Sequence, residues 1–197
     1  VSGRGYLSFI DKMNRLAPQA IKNSGIPIVA SNLCVSGESL LLTEDGEFPI
    51  ADLVGTTVRV WNGTKFTPAP VVKTGVNQEL LEIKLSSFDC FGVVTETRLK
   101  CTPYHKFYDE WGDEVRASDL VRGEYLQPFF LPNGEPSQDA GYRHFEVLSI
   151  EKTSNEDTYC VNEPEAHKAV FNGVLTGNCN EISLPSNNYY SFVCVLS

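Results

Sequence analysis

Between residues 34 and 178 the chain consists of short alternating or apolar runs separated by turn dipeptides, a pattern that many-stranded β structure satisfies and a helical bundle does not. Residues 39–43 and 47–50 flank Asp45-Gly46, and residues 58–61 and 65–66 flank Asn62-Gly63. Both dipeptides readily supply the positive φ angles of a hairpin turn. Further runs fall at 80–85, 92–101, Val115, 125–131, 145–150, 158–161 and 169–176. The expectation is an all-β domain, with residues 131–142, rich in Pro, Asn, Gly and Ser, as a surface loop. The flanks read differently. Tyr6, Leu7, Phe9, Ile10, Met13 and Leu16 recur at helical spacing, and Pro18 and Asn23-Ser24-Gly25 stop that helix. At the other end Pro185 and Ser186-Asn187-Asn188 precede the apolar residues 192–196, and neither flank can bury a core alone.

Charge and cysteine usage narrow the function. A net charge of -9 over 197 residues argues against a nucleic-acid groove, which needs clustered Lys and Arg. No apolar run is long enough to span a bilayer, and the first residues lack the pattern of a secretory leader. The expectation is a cytoplasmic monomer that engages neither membrane nor nucleic acid. The 6 cysteines, at 34, 90, 101, 160, 179 and 194, would allow fifteen disulfide connectivities in a secreted chain. No Cys-x-x-Cys or His-x-x-x-His pair brings metal ligands onto one turn, so no metal and no cofactor are expected. In a reducing compartment the thiols stay reduced, and reactive or buried cysteines become the candidates to sort.

The insert also has ends with chemistry in them. Removing residues 34–178 joins Ser31-Asn32-Leu33 to Cys179-Asn180-Glu181-Ile182 without a gap. A cysteine opens the removed segment, an asparagine closes it, and a cysteine follows. Inside it lie Cys101-Thr102-Pro103-Tyr104-His105 and a last block running from Thr158-Tyr159-Cys160 through His167 to Thr176-Gly177-Asn178-Cys179. A Thr-x-x-His string alone is a chance event in many proteins. The order of nucleophile, Thr/His pair and Asn-Cys junction is what carries weight.

With these motifs, residues 34–178 resemble an intein of the Hedgehog/intein (HINT) family in its minimal form, without a homing endonuclease. The resemblance implies a horseshoe-like all-β fold and a division into an upstream fragment 1–33, a splicing domain 34–178 and a downstream fragment 179–197. It also implies an autocatalytic, single-turnover reaction on the chain's own flanks. Cys34 attacks the Leu33 carbonyl to give a thioester, and Cys179 takes over the acyl group. Asn178 then cyclises to a succinimide, and Leu33 is joined to Cys179. By the same resemblance Thr102 and His105 assist the first step, with His105 protonating the departing nitrogen. Cys160 stands where the family carries Asp or Cys, and positions or deprotonates groups between the junctions. A small buried strand-end residue is the equally weighted alternative for it. His167 matches a His of the last motif and would assist cyclisation. Gly177 departs from the family, which usually carries His before the terminal Asn. His144, Cys90 and Cys101 match no role and read as packed or incidental residues.

The rejoined flanks have a resemblance of their own. Asn32-Leu33 followed by residues 179–185 and 192–197 is similar to the active-site stretch of the large subunit of class I ribonucleotide reductases. Residue by residue, the resemblance assigns Cys179 to the radical cysteine and Asn32 and Glu181 to its catalytic neighbours. Cys194 corresponds to one of the redox cysteines. The fragment alone holds too little of that barrel for reductase activity. Two other readings are a Hedgehog-like autoprocessing or cysteine-protease domain, against which Asn178-Cys179 and the rejoinable flanks count, and a disulfide-stabilised β binding module.

Overall fold

Turn chemistry places the first hairpins in the computed structural model, which describes residues 33–88, 94–132 and 142–178. After the short β1 (Val35–Ser36), β2 (Leu40–Thr43) and β3 (Gly46–Pro49) pair in register from Leu40↔Pro49 to Thr43↔Gly46. The turn residues are therefore Glu44-Asp45, one position earlier than the dipeptide predicts. The Thr43 hydroxyl causes the shift by donating to the Gly46 carbonyl and accepting from the Asp45 N–H. Ile50–Leu53 forms a 3-10 turn. Next, β4 (Thr57–Trp61) and β5 (Phe66–Gln78) are joined at Asn62-Gly63 as expected. There Gly63 takes φ +98, and the Asn62 side-chain oxygen accepts from the N–H groups of Thr64 and Lys65.

β5 is far longer than the two residues expected of it. Pro68 and Pro70 hide it in the sequence, since Pro cannot donate to a ladder. Both sit on its exposed face, while Thr67, Ala69 and Val71 face the core. β6 (Leu81–Phe88) and β7 (Val94–Cys101) form a long antiparallel pair. β8 (Lys106–Tyr108) and β9 (Glu114–Arg116) make a small separate sheet. β10 is only Phe129–Phe130. The predicted loop ends early, because β11 (Tyr142–Lys152) begins at Tyr142. β12 spans Glu156–Val161.

The run expected at 169–176 is two strands, β13 (Lys168–Phe171) and β14 (Val174–Gly177). Asn172 and Gly173, at φ +50 and +78, turn the chain between them. This is a second Asn-Gly hairpin, masked by the apolar residues on both sides. The expected helix of residues 6–16 and the flank beyond Cys179 lie outside the described residues, as does most of the 131–142 loop.

Twelve strands join in one antiparallel sheet, in the order β10-β11-β6-β7-β1-β12-β5-β4-β2-β13-β14 with β3 beside β2. Asn32–Asn180 form one compact unit. The core of this unit is aliphatic and aromatic: Val35, Leu41, Ile50, Val60, Leu99, Phe107, Val170 and Phe171 are all fully buried. Each such side chain contributes about 1.5–3 kcal/mol relative to exposure. The strand order matters most at β1, which lies between β7 and β12 with Val35 paired to both Cys101 and Tyr159. Three segments far apart in sequence thereby meet at one place. Among the described residues no helix is long and apolar enough to cross a membrane.

Candidate active site

The peptide unit between Leu33 and Cys34 is held at both ends. Thr102, the residue after β7, offers its hydroxyl oxygen to the Cys34 N–H at 3.3 Å, and its own N–H donates to the Cys34 carbonyl at 2.9 Å. From the other neighbouring strand, the Cys160 thiol lies 3.1 Å from the Leu33 carbonyl oxygen and 3.2 Å from the Val161 carbonyl oxygen, its one proton shared between them. Cys34, Thr102 and Cys160 are all buried, so these contacts act where water screens them little. A second hydroxyl, that of Thr74 in β5, lies 2.8 Å from the Cys34 sulfur. The sequence analysis did not single out Thr74. No motif marks a threonine inside a strand.

His105 belongs to the same turn as Thr102, its N–H donating to the Thr102 carbonyl at 2.9 Å. Its imidazole is fully buried edge-on to Phe107 and Phe171, with Nε2 2.9 Å from the Thr176 hydroxyl. The turn thus presents Thr102 to the start of the domain and His105 to β14, which leads to Asn178.

At that end Asn178 is buried, and its N–H donates to the His167 carbonyl at 2.9 Å. His167 itself takes φ +54, uncommon for a residue with a side chain. Glu163 imposes this conformation. One carboxylate oxygen accepts from the N–H groups of Ala166 and His167, at 2.7 and 2.8 Å. The other accepts from the Thr67 hydroxyl at 2.7 Å, the Glu165 N–H at 3.1 Å and the Asn62 amide at 3.4 Å. Burial pushes the Glu163 carboxyl upward, but these donors, Thr67 foremost, outweigh it and hold the group below the ordinary carboxylate range. Glu163 was absent from the sequence-derived candidates because its partners lie about a hundred residues upstream. The His167 Nδ1 lies 3.0 Å from the Glu163 carbonyl oxygen. Facing an acceptor, Nδ1 carries the proton, which in the neutral ring leaves Nε2 as the basic nitrogen.

Gly177 stands in β14 opposite Lys168. A Cβ there would lie 2.8 Å from the Lys106 Cβ and 3.3 Å from the Tyr108 hydroxyl. β8 fills the space a side chain at 177 would need, so the usual histidine has no room. Around it the Lys168 ammonium lies 3.7 Å from the centre of the Tyr108 ring. Burial, with Glu114 nearby, pushes the Tyr108 hydroxyl up to about 12, and burial lowers Lys168.

Of the sequence-derived residues, Leu33, Cys34, Thr102 and Cys160 meet in one cluster, and His105, His167, Gly177 and Asn178 line the approach to the other end. Cys179, Asn32, Glu181 and Cys194 lie outside the described residues. Cys101 is a free thiol in the core, pushed well above the usual range by burial, which leaves it inert as a nucleophile. Among the described residues no group of three or more His, Cys, Asp and Glu is arranged to hold a metal ion.

No protein-family model matches the chain. In sequence it is similar to the ribonucleoside-diphosphate reductase large subunit of Invertebrate iridescent virus 6, 47% identical over 106 residues, which are 54% of this chain and 10% of that protein. It is also similar to the NrdEB alpha subunit of the Bacillus subtilis (strain 168) ribonucleoside-diphosphate reductase, 34% identical over 127 residues, 60% of this chain and 11% of that protein. Residues 1–33 and 179–197 together are too short for either match, so both run into the insert. In structure the chain is similar to a DnaB intein from Synechocystis sp. PCC 6803, with TM-score 0.59 and 20% identity, covering 74% of this chain and 98% of that one. A DnaX mini-intein from Spirulina platensis gives TM-score 0.53 and 21% identity, covering 74% and 99%. The described domain therefore has the all-β intein (HINT) fold, and its sequence relatives are reductase large subunits, a combination that fits an intein inserted in a ribonucleotide reductase host.

Proposed function

We propose that this chain excises residues 34–178 from itself and joins Leu33 to Cys179, acting in cis on its own flanks 1–33 and 179–197. The observation that carries the proposal is the grip on the Leu33–Cys34 peptide unit, with a donor on its carbonyl oxygen and a hydroxyl on its nitrogen. In the first step the Cys34 sulfur bonds to the Leu33 carbonyl carbon and the carbon–nitrogen bond breaks. The proton lost from sulfur is balanced by one gained at the freed amine. The Cys160 thiol stabilises the negative charge that gathers on the Leu33 oxygen during attack, the task of an oxyanion hole. Thr102 fixes the departing nitrogen. The proton that nitrogen takes up is assigned to His105 by the resemblance alone, since its ring faces Thr176 and the Asn178 end.

Cys179 then attacks the thioester, moving the upstream fragment to its own sulfur and freeing the Cys34 thiol. Asn178 attacks its own backbone carbonyl through the side-chain amide, forming a succinimide and releasing the amine of Cys179. The basic Nε2 of His167 takes up the amide proton in this step, while the His167 carbonyl holds the Asn178 N–H. An S-to-N acyl shift leaves an ordinary Leu33–Cys179 peptide bond. Cyclisation runs without a histidine at 177, since β8 occupies that space. The joined product restores a reductase active-site segment containing Asn32, Cys179, Glu181 and Cys194, a reading supported by the reductase relatives. The host is inactive until the insert leaves, because its radical cysteine is engaged at the junction.

Two substitutions separate the steps. Cys34→Ala is expected to abolish ligation and thioester formation while leaving cleavage after Asn178. Asn178→Ala is expected to stall the chain at the branched species, which a thiol or hydroxylamine cleaves at Leu33. Unimpaired ligation in either variant, followed by intact mass, would refute the scheme.

A further inference from the structure

The pairing of β5 with β12 slips by one residue beside the nucleophile. Tyr159 lies opposite Lys73 and Thr158 opposite Gly75, so the register shift leaves Thr74 as the extra residue of a β-bulge. Bulges re-aim a side chain out of the regular alternation. Here the Thr74 hydroxyl reaches the Cys34 sulfur at 2.8 Å and the buried Thr158 hydroxyl at 3.2 Å. Gly75 makes the bulge possible. A Cβ at 75 would lie 2.7 Å from the Thr158 hydroxyl oxygen and 2.7 Å from the Gln78 side chain.

We infer that Thr74 is a catalytic hydrogen-bond donor to the Cys34 sulfur in the first step, with Thr158 as the group that orients it. The inference rests on the splicing reading above. A hydroxyl has one proton and two acceptor lone pairs. While Cys34 is a thiol, the one Thr74 O–H is shared between the neutral sulfur and the Thr158 oxygen. When the sulfur gives up its proton, rotation about the Cβ–Oγ bond turns the Thr74 O–H onto the anionic sulfur. Hydrogen bonds to an ionised partner are about twice as strong as neutral ones, so the contact favours the thiolate, the effective nucleophile. Thr74 keeps its own proton throughout. The proton leaving sulfur is matched by the one gained at the Cys34 amine as the carbon–nitrogen bond breaks and the sulfur–carbon bond forms.

The test uses the full chain carrying Asn178→Ala and Cys179→Ala, so that only the first step runs. Dithiothreitol releases residues 1–33 from the thioester, and intact mass follows the rate across pH. Thr74→Val, which keeps the shape and removes the hydroxyl, is expected to slow release at least tenfold and to move the rate profile to higher pH. Thr74→Ser is expected to stay within about threefold of the parent. The fold of each variant is checked by cleavage after Asn178 in a chain carrying Cys34→Ala, which does not use Thr74. The inference is overturned if Thr74→Val releases at the parental rate, if Thr74→Ser is as slow as Thr74→Val, or if Thr74→Val loses both cleavages together. A parent that never releases residues 1–33 overturns the splicing reading and this inference with it, whereas normal release in Thr74→Val overturns this inference alone.

Discussion

Cys160 and Glu163 lie three residues apart, and each makes a different side-chain contribution to the site. In the proposed scheme the Cys160 contact to the Leu33 oxygen serves to stabilise charge there. A thiol is a weak donor, so Cys160→Ala should slow thiol-induced cleavage at Leu33 by about tenfold, near 1.4 kcal/mol of barrier. Cys160→Ser, a stronger donor of similar size, should recover most of it in the same assay. Glu163 acts through the backbone. Its carboxylate fixes Ala166 and His167, and with them the carbonyl that holds Asn178. Glu163→Gln replaces an acceptor by an amide that cannot satisfy every donor, and should destabilise the domain by about 2–3 kcal/mol in chemical denaturation. The pH sign follows from its lowered folded value. The stabilisation is fully present above the unfolded value near 4.5 and is lost as pH falls below that through the folded one. The melting temperature of the parent should therefore drop more steeply than that of Glu163→Gln as pH is lowered from 5.

At the level of elements, β8 and β14 together account for the departure at Gly177. A side chain at 177 collides with the Lys106 Cβ, close to the backbone of β8 and unable to swing aside. Gly177→His should therefore lower the melting temperature and slow cleavage after Asn178, although the substitution restores the residue most inteins use. Faster cleavage in this variant would show that β8 yields. Hairpins at Asp45-Gly46 and Asn62-Gly63, and the Cys34, Thr102/His105 and Asn178 motifs, were readable from local chemistry because turn preferences and reactive side chains act locally. The second Asn-Gly turn was not, since the apolar residues beside Asn172-Gly173 read as one buried run. β5 was hidden by Pro68 and Pro70, whose exposure depends on which face the core takes. Thr74 escaped for a further reason: a bulge is a property of the register between two strands, and neither strand alone encodes it.

Across the whole molecule, the antiparallel order sets β1 between β7 and β12, and that order is what turns dispersed motifs into one site. The proposed reaction needs no external energy, since two peptide bonds are broken and one peptide bond and one succinimide carbon–nitrogen bond are made. What the fold supplies is proximity, a buried grip on the first peptide unit, and a constrained terminal asparagine. The chain spans 10% and 11% of the reductase relatives it matches, and both matches are longer than the two flanks together. The direct measurement is intact mass of the purified full chain, incubated under reducing conditions near neutral pH and sampled over time. The account predicts loss of the precursor with appearance of two species, residues 34–178 ending in a succinimide and residues 1–33 joined to 179–197 through a peptide bond. A precursor that persists unchanged, or that breaks into separate flanks without the joined product, would contradict it.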